Sequence, residues 1–157
     1  MRVLATLFAA LLATVAYADP WLVIDDLQGT IPKAPRMQYD NRNQPLCKSD
    51  ARPPADAADE ALTAAGWILW DEPENVGHVV IRRVVPGLAG QCRPEGLSAI
   101  VFKDGLPHAA YVPSKATANL AFVVEAGNLR VSQKFGKPGE AMCCETGKRE
   151  LVIVLRE

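Results

Sequence analysis

The side chains with the most chemistry to offer are four cysteines, Cys47, Cys92, Cys143 and Cys144, and two histidines, His78 and His108. A thiolate is a nucleophile and a soft metal ligand, and two thiols can be oxidised to a disulfide. The even cysteine count reads first as two disulfides formed in an oxidising compartment. A bond between the adjacent Cys143 and Cys144 would close a strained small ring and twist the peptide between them. The expectation is therefore that Cys47 and Cys92 each bond one member of the neighbouring pair, in either order. Both orders tie the N-terminal region and the middle of the chain to one loop near the C-terminus. Closing loops this long contributes about 4 to 5 kcal/mol each in the chain-entropy picture.

Cys143 and Cys144 with Met142, and with His78 or His108 brought near by folding, would suit copper or zinc. The doubled Cys-x-x-Cys spacing of a zinc site is absent, so neither a metal nor any other cofactor is expected. Either histidine could act as a general base, but catalysis also needs a nucleophile and an orienting acid converging on it. Ser98, Ser114 and Ser132 lie in no Gly-x-Ser-x-Gly elbow, and no catalytic residue is assigned. Asp25 with Asp26, and Asp71 with Glu72 and Glu74, could serve glycoside hydrolysis if held across a cleft. Consecutive residues on an extended chain point to opposite faces, so these acids read as solvated loop charges, with Asp71 to Asn75 and Pro73 forming a turn.

Those residues must be positioned by a chain that begins like an export signal. Arg2 is followed by an apolar run from Val3 to Val15 and by Ala16-Tyr17-Ala18, which places a cleavage site before Asp19. The apolar run is shorter than the roughly 20 residues of a membrane-spanning helix. Residues 1–18 are accordingly expected to be a signal peptide, 19–54 an extended arm and 55–157 the body of one domain. Without the leader, 16 basic residues stand against 18 acidic ones. That near-neutral balance argues against nucleic acid as a partner. No later segment is long and apolar enough to span a membrane.

Trp21 to Ile24 has the character of an edge strand, after which five prolines and Asp40-Asn41-Arg42-Asn43 favour an irregular path to residue 54. Asp56 to Ala65 reads as a short helix preceded by Pro53 and Pro54 and stopped by Gly66, with Ala58, Ala61, Leu62 and Ala65 as its apolar stripe. Strands are expected at Trp67 to Trp70, His78 to Val85, Ser98 to Lys103, Pro107 to Val112, Leu120 to Glu125, Leu129 to Lys134 and Glu150 to Arg156. Lys103-Asp104-Gly105 and Glu125-Ala126-Gly127-Asn128 look like hairpin turns. Leu151 to Leu155 is continuously apolar and fits a central strand buried on both sides. Trp67 and Trp70 would face opposite sides of a strand, one in the core and the other open to a partner. The expected fold is α+β, with one short helix packed on a curled antiparallel sheet of five or six strands, stapled by disulfides. A small closed β-barrel is the alternative.

Ile100 to Gly105, followed by a second strand, and Gly139 to Gly147 leading into the last strand resemble the C-terminal half of the LppP/LprE-type secreted bacterial lipoproteins. The resemblance covers roughly residues 97–155 and implies location and fold more than activity. This chain has no cysteine at the cleavage site to carry a lipid. An exported protein, periplasmic or secreted, is therefore expected. Its expected role is that of a non-enzymatic binding module: an inhibitor, an immunity-type protector or an accessory subunit whose partner is another protein of the envelope or exterior. Lys137, Glu140, Met142 and Trp70 are the residues expected to meet that partner. The alternative function is a small secreted hydrolase using His78 or His108.

Overall fold

The computed structural model describes residues 21–25, 27–47, 51–113, 120–135, 137, 139–140 and 146–154. The leader, Ser114, Met142, Cys143 and Cys144 lie outside the described residues. Tight turns account for most of the strand order. Asp104 and Gly105 (φ 50° and 81°) join β7 (Ser98–Lys103) to β8 (Leu106–Pro113). Ala126 and Gly127 (φ 51° and 80°) join β9 (Ala121–Glu125) to β10 (Asn128–Phe135). Two successive residues of positive φ make the turn whose twist matches an antiparallel ribbon. Both hairpins are antiparallel.

The main sheet has six strands in the order β1 (Trp21–Asp25), β8, β7, β4 (Val79–Val85) and β2 (Ile68–Leu69), with β3 (Glu74–Val76) also paired to β4. β1 pairs antiparallel with β8 along its whole length and forms one edge. β10 is the centre of a separate three-stranded sheet between β9 and β11 (Gly147–Val154). A short ribbon pairs β5 (Gly87–Leu88) with β6 (Pro94–Glu95). Neither of the larger sheets closes into a barrel.

The two faces of the main sheet bury different partners, because side chains alternate across a strand. On one face Val84, Ile100, Phe102, Ala110 and Val112 pack with Leu62 of α1 (Ala57–Ala64) and with Trp67. Asp56 caps this helix by accepting the Asp59 N–H (2.9 Å), which satisfies an otherwise orphaned donor. On the other face Val79, Ile81, Val101 and Tyr111 pack against Leu120, Phe122, Leu129 and Val131 of the small sheet and its approach. The rest of that face is covered by Cys47, Ile68, Val85 and Leu88, with Trp70 and Cys92 against them. Burying a large aliphatic or aromatic side chain contributes roughly 1.5 to 3 kcal/mol, so these three clusters hold the layers together.

Three expectations are corrected. The disulfide joins Cys47 directly to Cys92 (S–S 2.05 Å, Cα–Cα 5.1 Å), not to either member of the 143–144 pair. The arm runs beside β5, with the Asn41 N–H donating to the Leu88 carbonyl (2.9 Å), and this brings the turns at Pro45–Cys47 and Gly90–Cys92 together. Spatial neighbourhood, not count, sets the pairing. Second, β11 is an edge strand of a three-stranded sheet, so Val152 and Val154 are 52% and 71% exposed instead of buried on both sides. Third, the segment after Trp70 is not only a turn. Glu74 to Val76 returns to pair with β4, beyond an excursion at residues 70–73.

Candidate functional site

β2 is two residues long and lies at the edge of the main sheet, so the arm must cross there to cover it. The Arg52 N–H donates to the Leu69 carbonyl (3.1 Å) as a final rung outside the strand. Between arm and strand remains a cavity of about 310 Å³, walled by Cys47, Ile68, Leu69 and Leu88 and rimmed by Arg42 and Arg52. Ile68 belongs to the core cluster on one sheet face and Leu69 to that on the other. An edge strand exposes both of its faces at once, which is why both clusters open into one cavity.

The arm is fixed on either side of this cavity. Arg42 donates through Nη1 to the Gly66 carbonyl (3.0 Å) and through Nη2 to the Pro86 carbonyl, while its Nε bonds Asp40 (2.5 Å). Asp40 in turn accepts the Arg42 N–H (3.0 Å) and the Leu88 N–H (3.3 Å). Five residues beyond Arg42 the disulfide anchors Cys47. Between and beside these anchors the arm carries two large side chains turned to solvent, Tyr39 (74% exposed) and Leu46 (82%).

The second wall is stiffened by a buried ion cluster. Asp59 has no solvent exposure, and Arg82 rises from the middle of the apolar strand β4 to meet it. Asp59 also accepts from Arg52 Nη1 and Nη2 (2.6 and 3.0 Å) and from the Ala55 N–H (3.0 Å). Burial pushes the Asp59 carboxyl up, but the Arg52 hydrogen bonds, the Ala55 N–H and the Arg82 and Arg52 charges outweigh it and hold the group down at about 2. The capping bond from Asp59 N–H, with Arg82 Nη2 at 2.6 Å, lowers Asp56 as well. Arg82 lies over the Phe102 ring (5.4 Å), and its Nε is buried with no hydrogen-bond partner. Both arginines of the cavity rim are thus committed to protein acceptors, and the cavity presents apolar wall and satisfied guanidinium, not free positive charge.

His78 and Asp104 sit on neighbouring turns of the main sheet, Nδ1 to Oδ1 3.4 Å, with side chains 88% and 67% exposed. His108 is exposed on β8, beside a break in register against β7, and its carbonyl accepts from the Leu27 N–H (2.9 Å). Neither histidine lines the cavity. Asp71 and Glu74 face Arg83, at 3.9 and 2.8 Å, so they neutralise the cation next to Arg82 on the opposite sheet face. Among the described residues, no three His, Cys, Asp or Glu side chains are grouped as metal ligands.

Of the residues expected to meet a partner, Trp70 is half-buried against the disulfide cluster and Trp67 is the core member of the pair, donating its indole N–H to the Pro32 carbonyl (2.7 Å). Lys137 and Glu140 lie between β10 and β11. Glu140 accepts the Lys137 N–H (2.8 Å), the Thr146 N–H (3.2 Å) and the Thr146 hydroxyl, so its carboxylate closes its own loop. The Thr146 hydroxyl, followed by the two N–H groups, lowers its ionisation range. The cavity and the Arg82–Asp59 cluster were missed from sequence. Their one signal was the pair Arg82-Arg83 inside Val79–Val85. No family model matches the chain, and no curated protein or solved structure matches it.

Proposed function

We propose that this chain is an exported, non-enzymatic binding module of the cell envelope or exterior, and that it meets its protein partner with the arm that crosses the β2 edge. One observation carries the proposal: Leu46 stands exposed between the anchors Arg42 and Cys47, and Tyr39 stands exposed on the stretch just before Arg42. A rigid apolar anchor loses little conformational entropy on binding, and a shaped cavity beside it can accept a partner's own anchor side chain. Trp70, packed on the same disulfide cluster, adds an aromatic residue to this region. The signal-like N-terminus, the disulfide and the resemblance to LppP/LprE-type secreted lipoproteins all support an exported location.

The test is capture from the native envelope fraction on immobilised oxidised protein, with Leu46→Asp and Tyr39→Asp in parallel. A partner retained by the parent chain and lost from both variants supports the arm. Equal retention by all three moves the surface elsewhere, first to Lys137 and its loop.

The hydrolase alternative has its own observation, the His78–Asp104 pair, which has the geometry of a base held by an acid. Both side chains are largely exposed, without the enclosing walls that hold a substrate and exclude water. Hydrolysis of a chromogenic ester panel that is abolished by His78→Gln would favour it.

A further inference from the structure

We propose that the Cys47–Cys92 bond is a site of thiol–disulfide exchange, opened by an external dithiol at Cys92 and latching one wall of the cavity when closed. Three independent features converge on it. Cys92 (φ 57°) and Gln91 before it (φ 60°) both hold left-handed backbone that side chains other than glycine adopt at a cost. The oxidised state therefore keeps two consecutive residues in a conformation that cleavage lets them leave.

The two cysteine residues differ in exposure. Cys47 is 2% exposed and lines the cavity, whereas Cys92 is only half-buried. An attacking thiolate thus reaches Cys92 first. Its sulfur bonds to Cys92 Sγ, the Cys47–Cys92 bond breaks, and Cys47 leaves as a thiolate into a cavity it shares with Arg42 and Arg52. The second thiol of the donor then attacks the donor's sulfur in the mixed disulfide and releases Cys92. The donor dithiol becomes a disulfide, and two electrons and two protons pass to the protein.

The consequence is local. Residues up to Arg42 keep their bonds to Ala65, Leu88, Gly66 and Pro86 without the disulfide, whereas the turn Pro45–Cys47 is held, among the described residues, by the Cys47 N–H bond to the Gln44 carbonyl within the turn and by the packing of Cys47 on Ile68, Val85 and Leu88. Reduction should free that turn and open the cavity wall while the sheets persist. None of this depends on what the arm binds.

The test titrates the oxidised full chain with glutathione redox buffers. Cys47 and Cys92 are scored separately from Cys143 and Cys144 by alkylation and peptide mass, and amide exchange is followed in parallel. The expected result is a glutathione adduct on Cys92 and faster exchange over residues 43–47, with β4 and β7 still protected. Gln91→Gly, which accepts positive φ freely, should require an about fivefold more reducing buffer. The proposal fails if the adduct forms on Cys47, if the thiols appear only as the buried Trp67 becomes exposed, or if Gln91→Gly leaves the midpoint unchanged.

Discussion

Arg82 and Asp59 meet between the main sheet and α1 with almost no exposure to water, 6% and 0%. An arginine in the centre of Val79–Val85 faces the helix side of the sheet and needs a carboxylate there, because an unpaired buried charge is far more costly than a buried pair. The N-cap and first turn of α1 supply two, Asp56 and Asp59, beside a helix N-terminus that itself favours negative charge. The cluster fixes the helix on the sheet and, through Arg52, fixes the arm on the helix.

Asp59→Ala should therefore cost about 3 to 5 kcal/mol, since it strands Arg82 and releases Arg52. Urea unfolding of the variant against the parent measures it. Asp59→Asn should be only slightly milder, because the amide keeps the shape but removes the charge that two guanidiniums face. A loss below about 1 kcal/mol would mean the cluster is not a principal support.

The same group sets a stability change in acid. Its folded value, about 2, is below the ordinary 3.8, so the stabilisation is present above the unfolded value and is lost as pH falls through the folded one. The loss amounts to about 2 kcal/mol and is confined to the window between roughly pH 4 and pH 2. Denaturation midpoints measured across that window should fall in the parent and fall less in Asp59→Asn.

Arg42 bridges two carbonyls with its two terminal nitrogens and holds Asp40 with Nε, a three-way geometry that lysine cannot reproduce. Arg42→Lys should consequently behave like Arg42→Ala. Each should lose about 1 to 3 kcal/mol and show faster amide exchange over residues 38–46. Recovery of parental protection by lysine would refute the bridging role.

Much of this architecture was readable in the chain because local chemistry and global fold agree. Ser98 to Lys103 has the same limits in sequence and structure, and the Asp104-Gly105 and Ala126-Gly127 turns follow from their glycines, which take positive φ freely. The helix expected over Asp56 to Ala65 runs from Ala57 to Ala64 with Asp56 as its cap, yet its stripe is different. Ala61 is exposed and Asp59 is buried in its place, because Arg82 waits on the sheet. Periodicity treats an acid as a surface residue and cannot see its partner 23 positions away. β11 failed for a related reason: an apolar run shows burial preference but not whether a strand is central or at an edge. The disulfide failed because pairing was argued from parity, when it depends on which turns the arm brings together. The cavity has no sequence signature, since it is a gap between elements.

Gly147 gives the last prediction. A Cβ there would lie 2.6 Å from the Phe135 carbonyl oxygen and 2.6 Å from its ring, and the two residues are paired at the end of the β10–β11 ribbon. The backbone oxygen cannot rotate away, so Gly147→Ala must push the strands apart and should cost about 1 to 3 kcal/mol. Gly87 makes the informative contrast. Its Cβ would meet Met37 Cγ at 2.7 Å and Asp40 Cγ at 3.1 Å, which are side-chain atoms of the arm and not backbone. Met37 can change rotamer, so Gly87→Ala should shift the arm locally and lose less than Gly147→Ala in thermal unfolding. Amide exchange should separate the two variants. Gly87→Ala loosens residues 37–42 with β10 unaffected, and Gly147→Ala loosens β10 and β11 with the arm unaffected. The reverse order of stability would show that the arm, not the small sheet, limits unfolding of the domain.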